Sequence, residues 1–183
     1  MRDTITEPAR EIPVVHRTDV LVVGSGPGGL AAALALRAMA VEDVTIQEPN
    51  AARRAFLTDR CGQQAVAEFQ GMVPLVVDAV GYAATRAAAS ACAAPGGVIA
   101  HVGLGEDVGG LDIRRMTLQE ITFIGTYTYT AQDFRDTAQA IFDGRLGTLD
   151  WSELRPLSEG AAAFYDLRSG AVAAPKIILS PWA

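Results

Sequence analysis

Metal and disulfide chemistry have little to draw on in this chain of 183 residues, which holds two cysteines and two histidines. Cys61 and Cys92 match neither a metal-ligand spacing nor a disulfide framework, and both read as buried free thiols of a reducing compartment. His16 falls in a polar stretch without a ligand partner, and His101 falls inside an apolar run, where it reads as a satisfied core histidine. An excess of basic residues is missing too. Fifteen Lys and Arg stand against twenty-one Asp and Glu, a net charge of −6. That balance excludes nucleic acid and anionic membrane surfaces, both of which attract cationic proteins. No apolar run is long enough to span a membrane, since Gly24, Pro27 and Arg37 interrupt residues 21–40. The first seventeen residues carry Asp3, Glu7 and Glu11 rather than the apolar stretch of a secretory signal, so a cytoplasmic setting is expected.

What is present is globular in balance, half apolar and one fifth charged. A chain of this size can bury roughly 70% of its unfolded surface in one full domain. Residues 1–17 read as a polar arm with Pro8 and Pro13. From Thr18 to about Gly147, apolar runs without alternation take turns with alanine-rich helical stretches. Residues 19–23, 44–46, 74–80, 98–103 and 121–124 read as strands. Helices are expected over residues 30–39, from Arg53 through Leu57, over 83–93, and from a Thr130 cap paired with Asp133. In the last of these, Phe134, Ala138, Ile141 and Phe142 share one face until Gly144. Strands buried on both faces and alternating with helices specify a doubly wound parallel sheet, a Rossmann fold. Residues 148–183 are expected to hold a short helix closed by Gly170 and a final strand, Lys176-Ile177-Ile178-Leu179, with no obvious pairing partner.

The chemistry concentrates in Gly24-Ser25-Gly26-Pro27-Gly28-Gly29. Glycines alone are weak signals, but these follow a buried strand, open a helix, and precede an acid at the end of the next strand. Gly24 permits the tight turn, Gly26 lets a pyrophosphate approach the backbone, and Gly29 lets helix and strand pack closely. Pro27 lacks an N–H and suits a helix's first turn. The helix N-terminus from Gly28 to Leu30 offers amides and partial positive charge to phosphates. Glu48, nineteen residues past Gly29, stands where a carboxylate would receive adenosine ribose hydroxyls. Its charge favours NAD over NADP, because a 2′-phosphate beside it would be repelled. Arg53 and Arg54 pull the other way, since either could turn to a phosphate.

Chain length constrains one crossover. In the strand order 3-2-1-4-5-6, the chain leaving the third strand must cross about 14 Å of sheet and return about 17 Å along it. If Gln64-Ala65-Val66-Ala67 is that strand, seven steps to Pro74 reach at most about 25 Å. No crossover helix fits. The third strand is therefore expected to be shortened, displaced or absent, with residues 68–73 extended.

From about Val73 to Leu179 the chain resembles the C-terminal half of medium-chain, zinc-type alcohol and polyol dehydrogenases. The resembling stretches are Val77-Asp78-Ala79-Val80-Gly81, Pro95-Gly96-Gly97-Val98, His101-Val102-Gly103-Leu104, Ile124-Gly125-Thr126-Tyr127 and Pro175-Lys176-Ile177-Ile178-Leu179. Glu48-Pro49-Asn50-Ala51-Ala52-Arg53-Arg54 is similar to that family's second-strand turn. The resemblance implies that Glu48 holds the adenosine ribose, with Arg53 beside the adenosine. It implies that Val80 and Gly81 run along the cofactor, and that Val102, Gly103 and Leu104 meet the nicotinamide carboxamide near Thr126. It also implies a homodimer through the edge strand at residues 121–126, and residues 148–183 packed on a catalytic domain.

Such enzymes carry zinc in a preceding catalytic domain, for which only about twenty residues stand before the first strand here. Zinc is thus expected of the family but without ligands in this chain, and an alcohol or polyol substrate only where a catalytic domain is supplied. Separately, Arg10-Glu11-Ile12-Pro13-Val14-Val15 through Leu30 resembles the start of FAD-dependent oxidoreductases. Three functions follow: the cofactor half of an NAD-dependent alcohol or polyol dehydrogenase, a non-catalytic NAD-binding module or remnant, and an FAD-dependent oxidoreductase fragment.

Overall fold

Eight strands and six α-helices are arranged along residues 18–182, which a computed structural model describes; the polar arm expected over residues 1–17, with His16, lies outside them. In chain order they are β1 (Val20–Val23), α1 (Pro27–Ala38), β2 (Val44–Gln47), α2 (Ala51–Asp59) and β3 (Gln64–Val66). Then come β4 (Val73–Asp78), α3 (Ala83–Cys92), β5 (Ala93–His101), α4 (Ile113–Leu118) and β6 (Thr122–Gly125). The series ends with α5 (Ala131–Phe142), β7 (Ser152–Pro156), α6 (Gly160–Ser169) and β8 (Lys176–Ser180). The first six strands form one parallel sheet in the order β3-β2-β1-β4-β5-β6.

The continuous apolar character of β1 has a direct structural reason. Leu21 and Val23 enter a core cluster with Val76 and Ile99, while Val20 and Val22 enter a second one with Leu30, Ile46 and Leu57. Both faces of the strand are covered, so no position tolerates a polar side chain. Each fully buried branched side chain contributes about 1.5–3 kcal/mol relative to exposure. Val23 pairs with Gln47 on one side and Asp78 on the other, which sets the C-terminal ends of three strands level at one rim.

The short-crossover expectation holds. β3 has three residues, and residues 67–72 contain no helix. Phe69 takes over part of the missing helix's task. It is buried in the core cluster that also holds Leu21, Val23, Val73 and Val76, and its N–H donates to Gln47 Oε1 at 2.8 Å.

Elsewhere the structure departs from expectation. β5 begins at Ala93 rather than Val98, because Val73 pairs with Ala93 and Leu75 with Val98; the irregular register absorbs the Pro95-Gly96-Gly97 turn within the strand. The short α4 carries no periodic signal and was not expected. The last strand does have a partner within the chain. β8 pairs in parallel with β7, from Ser152↔Lys176 to Pro156↔Ser180, forming a separate two-stranded sheet. Gly170 closes α6 in the left-handed conformation at φ 74°.

Thr130 and Asp133 form a reciprocal capping box, with Thr130 Oγ1 accepting from the Asp133 N–H and Asp133 Oδ2 accepting from the Thr130 N–H at 2.8 Å. These bonds hold the Asp133 carboxyl below its ordinary pKa. Thr130→Ala is expected to lower stability by about 1 kcal/mol, read as a drop in urea midpoint at unchanged slope. The helix it caps leaves its apolar face largely open, with Phe134 61% and Phe142 84% exposed and only Ala140 buried. Among the described residues no helix is long and apolar enough to cross a membrane.

Candidate functional site

The strand order reverses between β1 and β4, and ligands of open α/β sheets bind at such a switch point, beyond the carboxyl ends of the strands. A cleft of about 520 Å³ opens there. Its floor is the turn from Val23 to Gly26, one wall is Glu48, Pro49 and Arg53, and the other is Val80 with Ala84, Thr85 and Ala88.

The turn is shaped by backbone contact. Gly24 has φ +100°, a conformation that side chains rarely adopt, and a Cβ there would collide with Val80. A Cβ on Gly29 would collide with the carbonyl oxygen of Gly24. Gly26 caps α1 in extended conformation, Pro27 sits in the first turn, and no side chain caps the helix. Its first-turn amides are thereby left to another acceptor, the arrangement that binds phosphates. Gly26, Pro27 and Gly28 are exposed and Ser25 is buried. Leu30 supports the turn from beneath. Its side chain lies in the core, and its amide donates to Gly26 O within the helix at 3.0 Å.

Glu48 extends β2 by one residue, its N–H donating to Val66 O at 2.9 Å. The residue is 5% exposed, with Oε2 accepting from Ser25 Oγ and Oε1 accepting from the Asn50 N–H at 2.8 Å. The carboxylate thus faces the glycine turn with both oxygens anchored and lone pairs to spare. Asn50 caps α2 through the Arg53 N–H, and Arg53 lines the cleft while its Nε donates to Val172 O at 3.4 Å. Arg54 is committed elsewhere. Its Nη1 donates to the carbonyls of Glu48 and Pro49 at 2.9 and 2.6 Å.

The adjacent strand ends carry the remaining candidates along the same rim, outside the cleft. Gly81 and Gly103 pack backbone against backbone, so that a Cβ on either would strike the other turn. Val102 and Leu104 are exposed, as is Thr126, whose N–H donates to His101 O at 2.8 Å.

Two residues that motif reading passed over organise this rim. Asp78 is fully buried at the end of β4, its Oδ1 accepting from the amides of Val80 and Gly81 and its Oδ2 from Thr85 Oγ1. Arg86, 6% exposed on α3, donates to the carbonyls of Gly81, Glu106, Val108 and Gly109. His101 is also not the satisfied core residue expected. It is half-buried at the end of β5, with Nδ1 3.2 Å from Asp78 Oδ2 but without an aligned hydrogen bond. It lines a second cavity of about 460 Å³ together with Arg86, Glu106, Asp107, Ile113 and Phe123.

Neither cysteine enters the site. Cys92 is buried and Cys61 only half-buried in the turn after α2, and burial raises both thiol pKa values, keeping them protonated at neutral pH. Among the described residues no three His, Cys, Asp or Glu side chains converge into a group that could hold a metal ion, so these residues do not fit a zinc site.

No curated protein matches the chain. Solved structures do match its fold. Acetophenone reductase from Geotrichum candidum, in complex with NAD, is 18% identical with a TM-score of 0.74, over 86% of this chain and 47% of that one. Benzyl alcohol dehydrogenase from Acinetobacter calcoaceticus is 18% identical with a TM-score of 0.73, over 89% and 50% of the two chains. The yhdH oxidoreductase from Salmonella enterica, in complex with NADP, is 18% identical with a TM-score of 0.70, over 89% and 55%. The chain therefore spans about half the length of these structures. A profile described as zinc-binding dehydrogenase matches residues 27–143, from the first helix through the end of α5, and on that match the chain belongs to the zinc-binding dehydrogenase family.

Proposed function

We propose that this chain carries the cofactor half of an NAD-dependent oxidoreductase that converts an alcohol or polyol to its carbonyl. The observation that carries the reading is the buried Glu48 carboxylate, anchored by Ser25 and Asn50 at the mouth of the glycine turn. Glu48 would receive the adenosine ribose hydroxyls, the first-turn amides of α1 the pyrophosphate, and Arg53 would flank the adenosine. Val80, Gly81 and the backbone of Val102, Gly103 and Leu104, with Thr126 nearby, would border the nicotinamide. When bound, NAD supplies the hydride acceptor. The chain's own residues bind and orient it.

Two features favour NAD over NADP. A 2′-phosphate would be repelled by Glu48 at short range. The two nearby cations are partly engaged, Arg54 through Nη1 on the carbonyls of Glu48 and Pro49 and Arg53 through Nε on Val172 O, although Arg53 still lines the cleft. A catalytic zinc with its ligands, and the proton relay, would have to come from another polypeptide or a further segment. Dimerisation through β6 fits its place at the sheet edge, with Thr122, Ile124 and Gly125 exposed.

Titration calorimetry with NAD, NADP and FAD tests the reading. NAD is expected to bind most tightly. Glu48→Ala is expected to weaken it by about 10- to 100-fold, the equivalent of roughly 1.5–3 kcal/mol for charged hydrogen bonds, and to narrow the gap to NADP. Tighter binding of FAD than of NAD, or indifference to Glu48→Ala, would overturn it. A second reading, a non-catalytic NAD-binding module, is favoured by the lack of convergent metal ligands among the described residues. Zinc-dependent NADH formation from polyols by the purified chain alone would eliminate that reading.

A further inference from the structure

We propose that Asp78 is a positioning residue that makes the β4 and β5 turns a single unit on the rim beyond the cleft's Val80 wall, and so selects for the non-adenosine half of the dinucleotide. The inference rests on the reading of the cleft as a dinucleotide site. It adds a residue that touches no part of the ligand.

One residue supplies acceptors to both turns. Its side-chain Oδ1 takes the amides of Val80 and Gly81 at 3.1 and 3.0 Å. Its backbone carbonyl takes the amides of Val102 and Gly103 at 2.9 and 3.1 Å. Four consecutive-pair amides from two separate loops therefore converge on Asp78. Its Oδ2 accepts from Thr85 Oγ1 at 3.2 Å, tying the same node to the first turn of α3, whose Thr85 also lines the cleft. A buried carboxyl group is costly unless donors meet it, so the burial of Asp78 depends on the turns that hold these amides in place. The two turns are further interlocked by the close approach of Gly81 and Gly103, which leaves no room for one to move without the other.

The adenosine wall is built on a different junction and meets this unit only through the glycine turn, where Gly24 packs on Val80 while Ser25 bonds Glu48. Glu48, Asn50 and Arg53 come from the β2–α2 junction and bond to Ser25, to one another and to the carbonyls of Gly170 and Val172 rather than to Asp78 or its turns. Disturbing Asp78 should therefore leave adenosine recognition alone. On its far side Asp78 meets His101 of β5, whose surroundings also include Arg86 of α3, Glu106 and Asp107 of the following loop, and the Phe123 ring of β6 at 5.2 Å.

Calorimetric titration of the full chain with NAD and with AMP distinguishes the possibilities. Asp78→Asn leaves the backbone carbonyl in place, turns Oδ1 into a weaker neutral acceptor for Val80 and Gly81, and replaces the Oδ2 acceptor of Thr85 with an NH2. AMP affinity is then expected to stay within about twofold while NAD affinity falls about tenfold, the loss of one net charged hydrogen bond. Loss of both ligands in parallel, or of neither, overturns the assignment. If the parent chain binds neither AMP nor NAD, the cleft reading itself fails and this inference falls with it. Should Asp78→Asn not fold, amide exchange on the parent chain decides. NAD is expected to slow exchange at Val80, Gly81, Val102 and Gly103 together, and AMP at none of them. Protection by NAD at only one of the two turns would show that they are not a unit.

Discussion

Gly29→Val is expected to abolish dinucleotide binding and to lower stability by about 3 kcal/mol, a fall in melting temperature of roughly 6–12 °C for a chain of this size. The glycine stands where α1 presses on the end of β1. A Cβ there would collide with the Gly24 carbonyl oxygen and lie 3.4 Å from Ala79 Cβ. The turn cannot yield, because the Gly24 N–H is bonded to Gln47 O at 3.0 Å and Val80 fills the space where a Gly24 side chain would be. The helix must move instead. That lifts Leu30 and Ala33 from a fully buried position and withdraws the first-turn amides from the cleft. Gly28→Ala is the matched control, since a Cβ at Gly28 meets nothing within 4 Å. It is expected to fold at least as stably, as alanine favours helix by up to about 1 kcal/mol. Thermal unfolding and NAD titration of both variants check the contrast, and equal melting of Gly29→Val and the parent chain would refute it.

The parts of the fold that were legible in the sequence are those where one physical requirement dominates a segment. β1 must be apolar on both faces, so it announces itself as a run. The glycines at positions 24, 26 and 29 answer to backbone approach, and Glu48 follows at the end of the next strand. Even the missing crossover helix was legible, because reach is a matter of counting residues, although nothing in that count showed that Phe69 would fill the gap.

What escaped is structure made by partners distant in sequence. β7 reads Ser152-Glu153-Leu154-Arg155-Pro156, polar and ending in proline, and becomes a strand by pairing with β8 more than twenty residues later. Arg155 joins that unit through Glu153 and Asp166, at 2.6 and 2.7 Å. Asp78 and Arg86 escaped for a related reason. Their partners are backbone groups in loops, and backbone groups leave no trace in the identity of the residues that carry them. A buried arginine on an alanine-rich helix is the one signal that was available, since arginine is almost never fully buried without partners.

Arg86→Met is expected to destabilise the chain by about 3 kcal/mol and to free the loop between β5 and α4. The guanidinium reaches Gly81 and Glu106 through Nη1 at 2.7 and 2.9 Å, Gly109 through Nε at 2.6 Å, and Val108 through Nη2. Methionine matches much of the volume but donates to none of these. Each carbonyl left unpaired in a buried setting costs about 1–3 kcal/mol, and the sum is held down because most of this loop borders solvent and water can reach it. Arg86→Lys is expected to recover only part of the loss, since an ammonium is a compact donor that cannot span carbonyls set around a planar fork. Limited proteolysis between Glu106 and Gly110, read beside the melting temperature, separates this mechanism from simple core damage. If the arginine holds the loop, Arg86→Met is cut there well below its melting temperature and Arg86→Lys at an intermediate rate. If both variants melt early yet resist cleavage until they unfold, Arg86 contributes packing alone and the loop is held by the Ala83 N–H bond to Glu106 Oε2 at 2.7 Å.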